Sequence, residues 1–303
     1  MSGLFGAIEA GGTKFMVALA RREGPVIEQV RIETGPPAET FAQVIAFLEA
    51  GAARHGALAG IGIASFGPIG TDPAGDDYGR LRSTPKPGWE GVSYGAALAR
   101  LGVPLAIDTD VNGAALGEWQ EGAGVGCRTL AYTTVGTGIG TGVVHSGQPL
   151  HGFRHFEAGH IRVQHAHATD PYPGICPFHG DCLEGLASGP AIKGRFGKPL
   201  DELDDPGPAV ELIAGYLSDL AVNLVLLHAP DRLIFGGGVM KTAGLVEALR
   251  RATVRKLAGY VTHPRLDAGM ESYIQLPGLG DGAGIAGALA LIRRAVAPGP
   301  DAS

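Results

Sequence analysis

The chain has 303 residues, 45% hydrophobic and 18% charged, with a formal net charge of −6. That length admits two domains, each with its own core, and the acidic balance argues against nucleic acid as a partner. Three cysteines are too few for a disulfide framework. The N-terminus has neither the charged nor the apolar region of a signal peptide, and no apolar run approaches a membrane span, so a cytoplasmic protein with no membrane partner is expected.

In chain order, "LFGAIEA" from Leu4 predicts a strand, and "KFMVALA" from Lys14 a second one, joined by a glycine turn. "VIEQVRIET" predicts a third strand. "PAETFAQVIAFLEAGAARHG" places Phe41, Val44, Ile45 and Leu48 on one helical face. "LAGIGIASFGP" reads as a buried strand, followed by the breaker-rich loop "GTDPAGDDYGRLRSTPKPGWEG". "VSYGAALARLG" reads as a helix, "VPLAIDTDVN" as a strand running into a turn, with "DTDVN" at the strand end, and "GAALGEWQEGA" as a helix.

The pattern then restarts. "RTLAYTTVG" is a strand, "TGIGTG" a glycine turn and "VVHSG" a second strand, which predicts an internal duplication. After the irregular "HATDPYPGICPFHGDC" come a long helix, "ELIAGYLSDLAVNLVLLHAP", and a buried strand opening on glycines, "DRLIFGGGVM". Two helices, "AGLVEALRRATVRKLAG" and "GAGIAGALALIRRAV", complete the chain. Two similar halves of mixed strands and helices predict an α/β protein with two lobes around a cleft, where ligands sit beyond strand ends.

Three glycine turns follow strands: "EAGGTK" (Glu9 to Lys14), "TVGTGIGTG" (Thr134 to Gly142) and "FGGGVM" (Phe235 to Met240). Glycine lets successive backbone N–H groups approach phosphate oxygens. Thr13, Thr137 and Thr141 add hydroxyls and Lys14 a charge, so nucleotide binding is expected. There is no G-x-x-x-x-G-K-[ST], which excludes a P-loop. "GAGIAG" from Gly282 lies too near the end for a dinucleotide-binding unit and reads as close helix packing. Strand alternation puts Asp108 and Asp110 on one side. A carboxylate at a strand end suits general-base work or metal binding, and Asp110 is the stronger candidate.

Cys176, His179 and Cys182 form C-x2-H-x2-C. Zinc takes four tetrahedral N or S ligands, so one more is needed. His160 is the best fourth, with His155, His165 and His167 competing. A zinc with all four positions filled would hold shape rather than catalyse.

Together, "EAGGTK", "DTDVNGAALGE", "TVGTGIGTG", "EAGH", "CPFHGDCLEGLASGPA" and "FGGGVM" resemble the ROK sugar kinases, most closely their bacterial fructokinase branch. The resemblance spans nearly the whole chain, and "STPKPGW" and "CPFHGDCLEGLASGPA" are its most specific stretches. It implies a duplicated actin-like ATPase (ribonuclease H-like) fold, ATP, Mg²⁺ and a structural Zn²⁺. By position, Asp110 would be the general base, taking the proton of the sugar hydroxyl. Asn112, Glu157 and Glu184 would contact the sugar, and His160 would bind zinc beside it. Gly11, Gly12, Thr13 and Lys14, with Gly136, Thr137 and Gly138, would hold phosphates. Gly236, Gly237, Gly238 and Val239 would meet the adenosine, and Pro190 would lie on the nucleotide side.

The implied lobes are residues 1–118, with a helix at about 283–303 packing back on them, and residues 119–282. The implied reaction is phosphorylation of D-fructose to fructose 6-phosphate, with glucose or mannose as alternative substrates and a homodimer as the assembly. Two positions depart from the family pattern. Glu9 stands where many relatives carry Asp, and Thr109 where glucokinase-type members carry Asn. Sugar-responsive regulators of the same family need a DNA-binding segment ahead of the first strand. That strand is expected at Leu4, so a kinase is the expectation.

Overall fold

The computed structural model describes residues 3–84, 86–165, 167–267 and 270–296. Pro85 of "STPKPGW" and the end of the 283–303 helix lie outside the described residues. The chain divides into two compact units. One runs through Glu121 and adds His151–His155 and the segment from Asp281, and the other is Gly122–Leu150 with Phe156–Gly280.

In the first unit, β1 (Leu4–Ala10), β2 (Lys14–Arg21) and β3 (Val26–Glu33) form an antiparallel meander. Helix α1 (Pro37–His55) leads to β4 (Leu58–Ser65), which lies parallel to β1. Helix α2 (Tyr94–Leu98) leads to β5 (Leu105–Thr109), parallel to β4, and α3 (Asp110–Glu121) follows directly. The helix expected at "VSYGAALARLG" is short because a 3-10 turn, Ala99–Leu101, tightens its end before Gly102 turns left-handed at φ 61°.

In the second unit, β6 (Thr129–Val135), β7 (Ile139–His145) and β8 (Gln148–Pro149) form another antiparallel meander. Two short helices, α4 (Leu183–Ala187) and α5 (Gly189–Phe196), precede the long α6 (Gly207–His228). Strand β9 (Arg232–Gly236) is parallel to β6, and after α7 (Leu245–Leu257) and α8 (Pro264–Asp267), β10 (Ile274–Gln275) is parallel to β9. The last helix, α9 (Ala283–Ala295), returns to the first unit.

The sheet orders are β3-β2-β1-β4-β5 and β8-β7-β6-β9-β10. Each has three antiparallel strands in sequence, then two parallel strands added beside the first, so the duplication seen in the sequence is a duplication of topology.

Side-chain size decides which helix covers which face of the first sheet. In "GIGIA", Ile61 and Ile63 alternate with Gly60, Gly62 and Ala64. The isoleucines pack with Phe41, Val44, Ile45 and Leu48 of α1. Burying each such side chain stabilises the fold by about 1.5–3 kcal/mol. Small residues form the other face, where α9 brings Ile285, Ala288, Leu289 and Ile292. A Cβ on Gly62 would lie 1.7 Å from Ala288 O, and one on Gly287 would lie 1.8 Å from Gly113 O. "GAGIAG" is thus a backbone-to-backbone packing surface between α9 and α3.

Helix α6 is long and apolar enough to cross a membrane by length and composition alone. Ile213, Leu217, Leu220 and Leu224 are buried in the second unit's core, which accounts for its apolar character.

Candidate functional site

At the end of β5, Thr109 Oγ1 accepts from Asn112 N at 3.1 Å, the bond of an N-cap, and the helix begins at Asp110. The strand expected to end on "DTDVN" therefore stops at Thr109, and Asp110 is already helical, so strand alternation does not relate Asp108 to Asp110. Asp108 is 3% exposed and accepts from Thr109 N at 2.7 Å and Asn112 Nδ2 at 2.8 Å. His151 Nε2 lies 3.0 Å from Asp108 Oδ2 and 3.2 Å from Asn112 Nδ2. This carboxylate orients its neighbours. Asp110 is only half-buried and sits in the first turn of α3, where the helix dipole favours its charge and its Oδ1 accepts from Val111 N at 2.9 Å. His151 was not a sequence candidate. It is 39 residues from Asn112, and no local pattern marks it.

Also in the first unit, Gly11 N donates to Lys14 O at 2.9 Å, closing the turn between β1 and β2. Thr34 braces this turn through Oγ1 to Gly11 O and N to Thr13 O. Gly12 and Thr13 are exposed, and Gly11 and Lys14 are half-buried. Glu9, just before the turn, is crowded by α9, because a Cβ on Gly284 would lie 2.3 Å from Glu9 Cδ. Glu9 Oε2 is buried without a hydrogen-bond partner. Burial raises its carboxyl pKa above the usual range, Lys14 opposes the shift and Asp281 adds to it.

In the second unit, parallel pairing of β6 with β9 sets Thr134 opposite Gly236, so the turns that follow are neighbours. Gly136 N donates to Gly138 O at 2.9 Å, leaving Thr137 exposed at the tip. Gly189 N, at the start of α5, donates to Gly136 O at 2.8 Å. Pro190 follows, exposed, and Val239 Cγ2 lies 3.7 Å from where a Gly189 Cβ would stand. Gly237 has φ +91°, and a Cβ there would lie 2.3 Å from Val135 O. Gly238 is exposed beside it. The residues expected at the phosphates and at the adenosine in this half are therefore brought together. Thr141 is not among them. Strand β7 starts at Ile139, and the buried Thr141 Oγ1 pairs with Thr133 Oγ1 at 2.9 Å.

Four further candidates converge in the same unit. A 3-10 turn, Ala158–His160, follows the exposed Glu157, whose carbonyl accepts from His160 N at 3.0 Å. Cys176 and Gly180 exchange backbone bonds at 2.9 and 3.1 Å, forming a tight knuckle. Leu183 N donates to Ile161 O, which stitches the knuckle to the His160 turn. His160 Nδ1 lies 3.5 Å from Cys182 Sγ and 3.7 Å from Cys176 Sγ, and His179 Nδ1 lies 3.6 Å from Cys176 Sγ. Tetrahedral zinc, with Zn–S about 2.3 Å and Zn–N about 2.0 Å, sets its ligand atoms roughly 3.6 Å apart. The donor set and these edges fit a zinc ion.

Of the four histidines considered as fourth ligand, His160 is the one in the cluster. His155 Nε2 faces Ile69 N at 3.4 Å, and His165 and His167 gather around Asp181. Burial, with the neighbouring Cys176, pushes the Cys182 thiol up to about 11, so a thiolate at Cys182 requires a cation.

Glu184, in the first turn of α4, connects the metal cluster to the glycine turn. Its Oε2 accepts from Ile139 N at 2.9 Å, and its Oε1 lies 3.9 Å from His160 Nε2. A buried brace stands behind it. Asp170, 3% exposed, binds Arg195 Nε at 3.2 Å and NH2 at 3.0 Å and accepts from Tyr216 Oη. Arg195 NH1 also donates to Leu186 O of α4 at 2.6 Å. Its parts lie far apart in the chain, and the sequence offered no sign of it.

The family model described as the ROK family matches residues 5–295. The fructokinase of Zymomonas mobilis subsp. mobilis is 42% identical over 293 residues, covering 95% of this chain and 96% of that one. The ROK hexokinase of Thermus thermophilus has a similar structure, with TM-score 0.78 and 27% identity over 97% of this chain and 99% of that one. A ROK family glucokinase from Streptomyces griseus, in complex with glucose and AMPPNP, has TM-score 0.74 and 25% identity over 96% of this chain and 100% of that one.

Proposed function

Because this chain belongs to the ROK family, we propose that it is an ATP-dependent fructokinase that converts D-fructose to fructose 6-phosphate. The observation that carries the reading is the 42% identity to a fructokinase over nearly the whole of both chains. The zinc-fitting C-x2-H-x2-C knuckle, with Glu184 behind it, supports it.

In this reading the Asp110 carboxylate accepts the proton of the sugar 6-hydroxyl as its oxygen bonds to the γ-phosphorus and the bond to the β–γ bridging oxygen breaks. Phosphoryl transfer needs chiefly positioning and charge stabilisation, so one base and backbone donors suffice. Asn112, held by Asp108 and His151, and Glu157, His160 and Glu184 orient the sugar hydroxyls. Gly11, Gly12, Thr13 and Lys14, with Gly136, Thr137 and Gly138, present donors to the phosphates. Pro190 and Gly236–Val239 flank the nucleoside. Mg²⁺ bound with ATP would neutralise charge on the β- and γ-phosphates. Zinc on His160, Cys176, His179 and Cys182 would hold the sugar-contacting segments in shape.

A kinase for glucose or mannose is the second reading, favoured by the structural likeness to a hexokinase and a glucokinase. A coupled ADP-release assay over fructose, glucose, mannose and N-acetylated hexoses tests both. The expected result is the highest kcat/KM for fructose, and equal values for fructose and glucose would remove the fructokinase assignment. Light scattering of the same sample reads the homodimer that this reading includes.

A further inference from the structure

A second group of metal-ligating side chains lies beside the knuckle and has no part in the reaction above. His165, His167 and Asp181 each offer one ligand atom, and the three atoms lie within 4.8 Å of one another. His165 Nδ1 is 3.3 Å from Asp181 Oδ2, and His167 Nε2 is 3.8 Å from the same oxygen. The centroids of the two imidazole rings are 3.9 Å apart, with the ring planes tilted by 49°.

The tautomer of His165 follows from its surroundings. Its Nε2 lies 3.0 Å from the backbone carbonyl of Asp170 and 3.6 Å from Asp170 Oδ2. A carbonyl can only accept, so Nε2 carries the proton and donates it. Asp170 is itself fixed by Arg195 and Tyr216, and the His165 side chain is 3% exposed. In the neutral ring, Nδ1 then presents its lone pair to Asp181 Oδ2, and two acceptors face each other at 3.3 Å. A positive centre between them relieves this, and it is either a second proton on His165 or a metal ion. The observations favour the metal. A ring N–H given to a backbone carbonyl is the usual way a ligating histidine is oriented. A second imidazole, His167, approaches the same oxygen, and a proton needs no third ligand. The other carboxylate oxygen, Oδ1, accepts from Arg162 NH1 at 2.8 Å, which leaves Oδ2 for a monodentate bond.

We propose that His165 Nδ1, His167 Nε2 and Asp181 Oδ2 form a second binding site for a divalent transition-metal ion, separate from the Cys176/Cys182 cluster. Two imidazoles and one carboxylate suit Zn²⁺, Co²⁺ or Ni²⁺ and not Mg²⁺ or Ca²⁺. Three protein ligands leave a coordination position to water. His165 has 3% of its side chain exposed and His167 71%, so the ion has an anchored ligand inside and an entry path outside. It would exchange more readily than an ion held by thiolates. Its structural effect would be to tie the segment around His165 to the knuckle, because Asp181 immediately precedes Cys182 and Arg162 NH1 also donates to His179 O at 3.0 Å.

The test uses the full-length protein and Zn²⁺ or Co²⁺ alone. Metal is counted by mass spectrometry after gel filtration, in the wild type and in His167→Ala, whose exposed side chain can be removed without opening the core. The expected result is an equivalent of Zn²⁺ beyond that held by the thiols, present in the wild type and lost in His167→Ala. Its affinity should fall by more than the roughly 10–100-fold that loss of an outer hydrogen-bond partner costs. With Co²⁺, the thiolate-to-metal charge-transfer band should be the same in both proteins, and weak visible bands should be missing from the variant. Nitrogen-15 spectra of the histidine rings give a second readout, in which Zn²⁺ should shift Nδ1 of His165. The proposal is overturned if wild type and His167→Ala hold the same metal with the same affinity. It is equally overturned if the zinc-loaded wild type shows both His165 nitrogens protonated.

Discussion

His160 turns one ring nitrogen to the thiols and the other to Glu184. Its Nδ1 is 3.5 Å from Cys182 Sγ, and its Nε2 is 3.9 Å from Glu184 Oε1. A metal-bound imidazole polarised by a nearby carboxylate is held in one tautomer and one orientation. The same carboxylate receives Ile139 N from the end of the glycine turn. Glu184→Gln should therefore raise KM for fructose at least about 10-fold while leaving zinc content near wild type. Cys176→Ser should lower zinc content and raise KM together. Steady-state kinetics beside metal analysis check this, and unchanged fructose KM in both variants would sink the link between knuckle and sugar.

Asp110→Asn should lower kcat by about 10²–10⁴ with little change in KM or melting temperature, since it removes a proton acceptor and keeps the size of the side chain. Near-normal turnover in this variant would end the base assignment.

Glu9 has a pKa raised chiefly by burial, and its Oε2 lacks a partner. The folded state binds this proton more tightly than the unfolded chain, so stability is full at low pH. It falls as pH rises from the unfolded carboxylate value of about 4.3 through the raised folded value. Glu9→Gln should remove that fall and raise the melting temperature at neutral pH. Thermal scans of both proteins between acid and neutral pH decide it. An unchanged or lower melting temperature at neutral pH would mean that the ionised carboxylate is stabilised in the folded protein.

Asp170 shows the opposite sign. Burial alone would raise its pKa, but Tyr216 and Arg195 outweigh it and hold the carboxyl below the usual range. Its contribution is present above the ordinary carboxylate pKa and is lost as pH falls through the folded value. Asp170→Ala leaves Arg195 buried without its counter-ion and should cost about 3–5 kcal/mol in urea unfolding at neutral pH.

Gly237→Ala adds a Cβ 2.3 Å from Val135 O at a residue with φ +91°. Backbone there must shift, at a cost of about 1–3 kcal/mol. The turn beyond β9 should move with it, raising KM for ATP more than KM for fructose. Kinetics with each substrate varied in turn read the difference, and equal effects on both would detach this turn from the nucleotide.

The amino-acid sequence by itself determined what depends on neighbours within a few residues. Strand hairpins, the glycine turns, the amphipathic α1 and the C-x2-H-x2-C spacing are local patterns, and they formed close to where their residues predicted, except that β7 starts at Ile139, inside the expected turn "TGIGTG". The restart near residue 130 was also legible, because the duplicated sheet repeats the same strand-turn-strand order. Only the tertiary structure decided which residues meet across long separations. It selected His160 from four histidines, because a backbone bond from Leu183 to Ile161 draws that turn onto the knuckle. It ended β5 at Thr109, because the threonine hydroxyl caps α3 and outweighs the extended pattern of "AIDTDVN". It brought His151 to Asp108, a pairing that no spacing in the chain encodes. Spacing specifies the chemistry a short segment can offer, whereas the partner that completes it depends on how the whole core packs.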